Sequence, residues 1–203
     1  MQTKIKGVTS AGTEIDLLAD LEGLLLVGQN HSKYREAVSK GNVFSGMNQT
    51  GCVWTVGLAT TYTGMAVSNP IGSGKRLSIL AAGYTEVVAP TGIQAVFLAG
   101  GYHASTDVAA GVAGTPRSML VGRSPDAVGK CWTGATLPAA PVYLLPLNQG
   151  HTSAALPTGM PVNLCDVDGL IELLPGAFVA ICGFTIGVAV GAYGCIVWEE
   201  IDE

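Results

Sequence analysis

The sequence predicts an all-β protein, an antiparallel sandwich or barrel preceded by an extended N-terminal arm with one short helix. Three observations carry this. From Asn42 onward, turn residues recur every several positions, and between them lie β-favouring runs such as CVWTVGLATTYTGMAVS, KRLSILAAGYTEVV and IQAVFLAGGYH, the rhythm of strands joined by short turns. These runs do not alternate with helix-length patterns, which disfavours a parallel α/β fold. The third observation is the stretch from Ala177 to Trp198, which contains no charged residue.

That stretch has two readings. It is long enough for one helix to cross a bilayer, which takes about 20 apolar residues, and GFTIG and GVAVG match the small-residue spacing of packed transmembrane helices. Paired strands fit it better. Gly183, Gly187, Gly191 and Gly194 interrupt it, and each would cost about 1 kcal/mol inside a helix. Val179, Ile181, Ile186, Val188, Val190, Ile196 and Val197 supply the β-branched side chains that suit a pleated surface. The flanking charges, Asp166, Asp168 and Glu172 before it and Glu199, Glu200, Asp202 and Glu203 after it, include no Lys or Arg to set a membrane orientation. No membrane partner is expected.

Taken in order, residues 1–50 read as the arm and residues 51–203 as the sandwich domain. Within the arm, Ile15, Leu17, Leu18, Leu21, Leu24, Leu25 and Leu26 crowd together without a clear period, and Gly23 favours extended segments over a helix. Such an arm cannot bury its leucines alone, so it lies along the main domain or docks on a neighbouring subunit. A helix is expected at about 32–41, with Ser32 as N-cap and Gly41 at the left-handed C-terminal position. Ser105 to Thr136 is rich in Gly, Ala, Ser and Pro and reads as long loops carrying a short strand such as Met119–Val121, placed for contacts with neighbours. Val142–Leu145 fits a strand, and the final sheet segments begin at Leu170. About eight strands result.

Composition narrows the function. Of 203 residues, 48% are hydrophobic and 12% charged, about half the usual charged share. A chain so poor in charge is expected to be covered by other chains, as a homo-oligomer or a piece of a larger particle. With a net charge of −5, and only Arg117, Arg123 and Lys130 basic beyond Arg76, no cationic strip exists to follow a phosphate backbone, so nucleic acid is not expected as a partner. Cys52, Cys131, Cys165, Cys182 and Cys195 are odd in number, with no CxxC spacing, and read as reduced, buried thiols. The first residues lack the apolar core of a signal peptide, which fits synthesis in a cytosol. The sequon at Asn48 then reads as accidental.

The motifs that tempt an enzymatic reading are incomplete. Asn69-Pro-Ile-Gly-Ser-Gly-Lys75 resembles a phosphate-binding P-loop, but Asn69 stands where Gly is needed and Arg76 where Ser or Thr is needed. A tight turn between strands is the simpler reading. Ser153, His151 and Asp166 or Asp168 could be combined into a hydrolase triad, yet there is no GxSxG elbow and the residues crowd one loop. His31, His103 and His151 are too scattered for a metal site, although His103 and Asp107 are spaced to pair locally. Trp54, Trp132 and Trp198 with the six tyrosines could line a sugar-binding groove, but such aromatics more often anchor a core or interface. No catalytic, cofactor-binding or metal-ligating residue is assigned, and no cofactor is expected.

The phrases YREAVSKGNVFSGMNQTG, LATTYTGMAVSNPIGSGKRLSIL and GAYGCIVWEEI, in that order along most of the chain, resemble structural proteins of tailed bacteriophages. The resemblance implies a virion component with a jelly-roll-like β-sandwich, made in the host cytoplasm and trimeric. It would act as a capsid cement or decoration protein, a head fibre or a tail part, with itself and the major capsid protein or other virion subunits as partners. It carries no catalytic motif to map. The alternative is a carbohydrate- or host-receptor-binding module of a head or tail fibre.

Overall fold

The computed structural model describes residues 5–8, 14–17, 33–52, 57–86, 94–124, 126–150, 163–185 and 192–203. The chain divides into two compact units, Met1–Glu36 and Ala37–Glu203. In the first, β1 (Ile5–Val8) and β2 (Glu14–Leu17) pair antiparallel, with Ile5 opposite Leu17. The arm therefore contains strand segments, while its leucines from Leu18 to Leu26 lie outside the described residues. The expected helix is present as α1 (Arg35–Lys40). Gly41 follows it at φ 76°, a conformation open to glycine without a Cβ penalty.

The second unit is a two-sheet antiparallel sandwich. Its strands are β3 (Val43–Met47), β4 (Thr61–Tyr62), β5 (Ala66–Ser68), β6 (Lys75–Glu86), β7 (Gln94–Tyr102), β8 (Ala109–Gly114), β9 (Arg117–Ser118), β10 (Lys130–Thr136), β11 (Val142–Gly150), β12 (Asn163–Leu173), β13 (Ala177–Thr185) and β14 (Ala192–Asp202). A five-stranded sheet runs β12-β6-β14-β3-β9, and a seven-stranded sheet runs β11-β7-β13-β5-β10-β4 with β8 also on β10. β3 is interior to its sheet, so residues 37–50, expected in the arm, belong to the sandwich.

Eight strands form one long ribbon folded back on itself: β3 pairs with β14, β5 with β13, β6 with β12 and β7 with β11. The ribbon is rolled into two layers where β14 meets β6 and β13 meets β7. Three of the remaining strands come from residues 103–141, between β7 and β11, which corrects the reading of that section as loops. β10 lies on β5, β8 on β10 and β9 on β3. AAGVAG in β8 has little strand propensity of its own. It becomes a strand because the edge of β10 offers unpaired N–H and C=O groups. Met119–Val121, expected as a short strand, is the bend and turn that follows β9.

The core has two parts. Between the sheets lie Leu77, Ile79, Leu98, Val179, Ile181, Ile196 and Trp198, and Trp198 stacks on Phe44 with ring centroids 6.2 Å apart. Along β14, Ala192, Gly194, Ile196, Trp198 and Glu200 are buried, while the residues between them are half-exposed, the period-2 signature of a strand with one face inward. A second cluster containing Tyr62, Val108, Leu137, Phe178, Ala180 and Cys182 covers the outer face of the seven-stranded sheet. β13 is thus buried on both faces, and each large side chain so buried contributes about 1.5–3 kcal/mol. A strand covered on both sides reads as an unbroken apolar run, which is why the sequence from Ala177 mimics a membrane segment. Among the described residues no helix is long and apolar enough to cross a membrane.

Candidate interaction surface

Most of the large apolar side chains exposed among the described residues gather on the two flanks of the sandwich, with Met47, Leu58, Ile71 and Tyr102 elsewhere. The first flank is formed by β8 and β9, the edge strands contributed by the 103–141 insertion. Just past β9, Met119, Leu120 and Val121 are all exposed, Val121 at 95%, and Val112 on β8 is 68% exposed. The turn that presents them is tied down at both ends. The Met119 N–H donates to Val43 O at 2.9 Å, the Arg123 N–H to Leu120 O at 3.1 Å, and Arg123 Nη1 to Lys40 O at 2.6 Å. Gly41 makes room for that arginine, since a Cβ at this position would collide with the guanidinium. Glu200 holds the far side of the insertion. Its buried Oε1 accepts the N–H groups of Val128 and Gly129, both at 2.9 Å, and Trp198 Nε1–H at 3.3 Å.

The second flank is formed by β11 and β12, the opposite edges of the two sheets, which lie against each other. Val142, Tyr143 and Leu144 are exposed in succession because the register of β11 on β7 slips between Tyr143 and Leu145, a bulge that breaks the alternation of faces. Leu144 fills the space a side chain on Gly100 would need, its Cδ1 lying 2.8 Å from that position. β12 is broken more strongly. Asp166 stands opposite Ala81 and Ile171 opposite Ile79, so Val167–Leu170 together face Leu80 alone. Asp168 at φ 53° and Gly169 at φ 78° turn the chain, which sends Val167 into the core and leaves Leu170 80% exposed. Neither edge presents a regular ladder for a further strand.

A third feature closes one end of the sandwich. Asn69 is buried in the β5–β6 turn, and its Nδ2–H groups donate to Lys75 O at 2.7 Å and Leu173 O at 2.9 Å. Its backbone exchanges hydrogen bonds with Gly176 and Ala177. The Ile71 N–H donates to Asp107 Oδ1 at 2.8 Å, and the His103 N–H to Gly176 O at 3.1 Å. Three loops are thereby stitched together, with Tyr102 beside them at 57% exposure. The P-loop-like segment is the tight turn expected, with Gly72 and Gly74 at φ 73° and 65°. Asp107 does not pair with His103, whose Nδ1 instead accepts the Ser105 N–H at 3.4 Å.

The other singled-out residues are dispersed. His151, Ser153, Trp54 and His31 lie outside the described residues, and Asp166 and Asp168 sit in the irregular part of β12. Trp198 is buried and half-buried Trp132 donates to Ser68 Oγ at 2.8 Å, so these two serve the cores and do not line a groove. Asn48 of the sequon is buried, with Nδ2 donating to Thr50 O and Ala192 O and Oδ1 accepting the Gly194 N–H at 2.6 Å. It has no free amide to modify in the folded chain. All five cysteines are free thiols, and burial pushes Cys131 and Cys182 up to about 11, away from nucleophilic use.

The apolar turn at Met119–Val121 was missed from the sequence, which reads there as a short strand. Three consecutive large apolar residues between Ser118 and Gly122, in a section otherwise built of small residues, are a surface signal once no core position claims them. Leu170 carried no such signal, because its exposure depends on the break in β12. No protein-family model, curated protein or solved structure matches the chain.

Proposed function

We propose that this chain is a non-enzymatic structural component of a bacteriophage virion, a trimeric capsid cement or decoration protein that stabilises the particle by bridging capsid subunits. The observation that carries the reading is the pair of apolar flanks on the sandwich, one at the 103–141 insertion, which is tied to the sheets through Arg123 and Glu200, and one along β11 and β12. The nested pairing of eight strands supports it as well, since it resembles the pairing in jelly rolls, an architecture common in capsid and lectin domains. Repeated around a symmetric particle, contacts of modest area at about 25 cal/mol per Å² become a strong bond. The test is the solution mass by light scattering, followed by co-sedimentation with capsid shells encoded alongside the chain. A trimer that sediments with shells supports the reading, and a monomer at high concentration that stays in the supernatant defeats it.

A second reading, a glycan-binding module of a head or tail fibre, is favoured by Tyr102, an exposed aromatic at the stitched loop end. Aromatic faces of this kind suit sugar rings, with an apolar body and a polar tip. Binding on a glycan array that is lost in Tyr102→Ala would favour this reading, and an array without signal would remove it.

A further inference from the structure

We infer that copies of this chain associate head to tail, the insertion flank of one copy packing against the β11/β12 flank of the next, so that the oligomer closes as a ring. This rests on the assembly reading above and adds which surfaces meet.

The first argument is topological. β9 and β12 are opposite edges of the five-stranded sheet, and β8 and β11 opposite edges of the seven-stranded sheet. The two apolar flanks therefore lie on opposite sides of one molecule, separated by the width of five strands, about 19 Å, and cannot cover each other within a chain. They also sit at the same level. Met119 joins the ladder at Val43, Val43 stands opposite Glu199, Glu199 opposite Ser78 and Ser78 opposite Glu172, so the apolar turn and Glu172, two residues before Leu174, occupy the two ends of one row. Complementary patches on opposite sides make a heterologous contact, and successive heterologous contacts generate a ring when the rotation closes.

The second argument is charge. The insertion carries Arg117, Arg123 and Lys130 on its surface against Asp107 and Asp126. β12 carries Asp166, Asp168 and Glu172, with Arg76 beside Glu172 at 3.1 Å. Insertion flank on β12 flank brings unlike charge together, whereas either flank on its own copy sets like charge against like, which is penalised. The third argument is the irregularity of the edges. Pro146 and two register shifts in β11, the four-residue break in β12 and the two-residue length of β9 prevent strand-to-strand addition. What remains is side-chain packing, with Val121 and Met119 on one side and Leu170, Leu174 and Val142 on the other.

The experiment uses full-length Val121→Asp and Leu170→Asp, with Met119→Asp and Leu174→Asp as second variants of each flank. All four positions are exposed, and circular dichroism checks that the fold is retained. Light scattering is expected to show each variant alone at the mass of one chain. An equimolar mixture of Val121→Asp and Leu170→Asp is expected at the mass of two, because one intact flank from each partner forms a single contact that cannot extend. If the mixture stays at one chain, the contact is not between complementary flanks and the inference fails. If the variants keep the wild-type oligomer, the inference fails while the assembly reading stands. A monomeric wild type overturns both.

Discussion

Glu200 Oε1 accepts the Gly129 N–H at 2.9 Å inside the sandwich, and this bond ties the last strand of the ribbon to the residue just before β10. The same oxygen holds the Val128 N–H and the Trp198 indole. Removing it would leave three donors without a protein partner. Each such loss costs about 1–3 kcal/mol when the donor is buried. Glu200→Ala is expected to destabilise by about 3 kcal/mol in urea unfolding, and Glu200→Gln, which keeps an acceptor, by about 1 kcal/mol. Hydrogen exchange at Val128 and Gly129 should quicken in Glu200→Ala before exchange in β13 does. Equal quickening throughout would mean the clamp is not local.

Gly41 and Arg123 are coupled by space. Gly41→Ala is expected to cost about 1–2 kcal/mol, part from the left-handed backbone and part from displacing the arginine that occupies the site. In Gly41→Ala/Arg123→Ala the steric part disappears and the backbone part remains. A double-mutant cycle by chemical denaturation should therefore show a positive coupling, and additive single effects would contradict the collision.

The buried thiols set an alkaline limit. Desolvation by burial raises Cys131 and Cys182 from about 9 to about 11, and raises Tyr62 well above its usual range. The folded state then holds protons that the unfolded state releases. Stability contributed by these groups is complete below pH 9 and is lost as pH rises toward 11. Melting temperature should fall across that window, and less steeply in Cys131→Ala/Cys182→Ala. At pH 8 iodoacetamide should leave both thiols unmodified until denaturant is added.

Asn69 is expected to be the least replaceable residue of the stitched end. Its Nδ2 satisfies two carbonyls, and its Oδ1 has no hydrogen-bond partner among the described residues. Asn69→Asp removes the donors and buries a charge without a donor facing it, at a cost of about 3–5 kcal/mol near pH 7. Part of that should return near pH 4, where the carboxyl is neutral. Thermal melts of Asn69→Asp and Asn69→Ala at both pH values test this, and a pH-independent deficit would contradict it.

Much of the fold was legible because its signals are local. The glycines from Gly183 to Gly194 among β-branched residues, the Asn69–Lys75 turn, and Gly41 after a run of helix formers each act within a few residues. The apolar run from Ala177 was the ambiguous case, and its resolution needed the second core that Phe178 and Cys182 enter on the outer face. Asn48 was judged by its motif, whereas its actual role, a buried bridge to Ala192 and Gly194, joins positions far apart in the chain.

By itself the sequence determined the all-β class, the presence of strands near the C-terminus and the short helix with its glycine stop. These follow from backbone preference and composition, which operate residue by residue. The expectation that the strands of the 177–198 run pair with each other is corrected, since β13 and β14 lie in different sheets. Only the tertiary structure decided that small residues at Ala109–Gly114 become a strand, that β3 belongs to the sandwich, and that Leu170 faces solvent while Leu173 is buried. The reason is that edge pairing, register breaks and burial are set by which strands meet, and those meetings are made across more than a hundred residues of chain, as between β3 and β14.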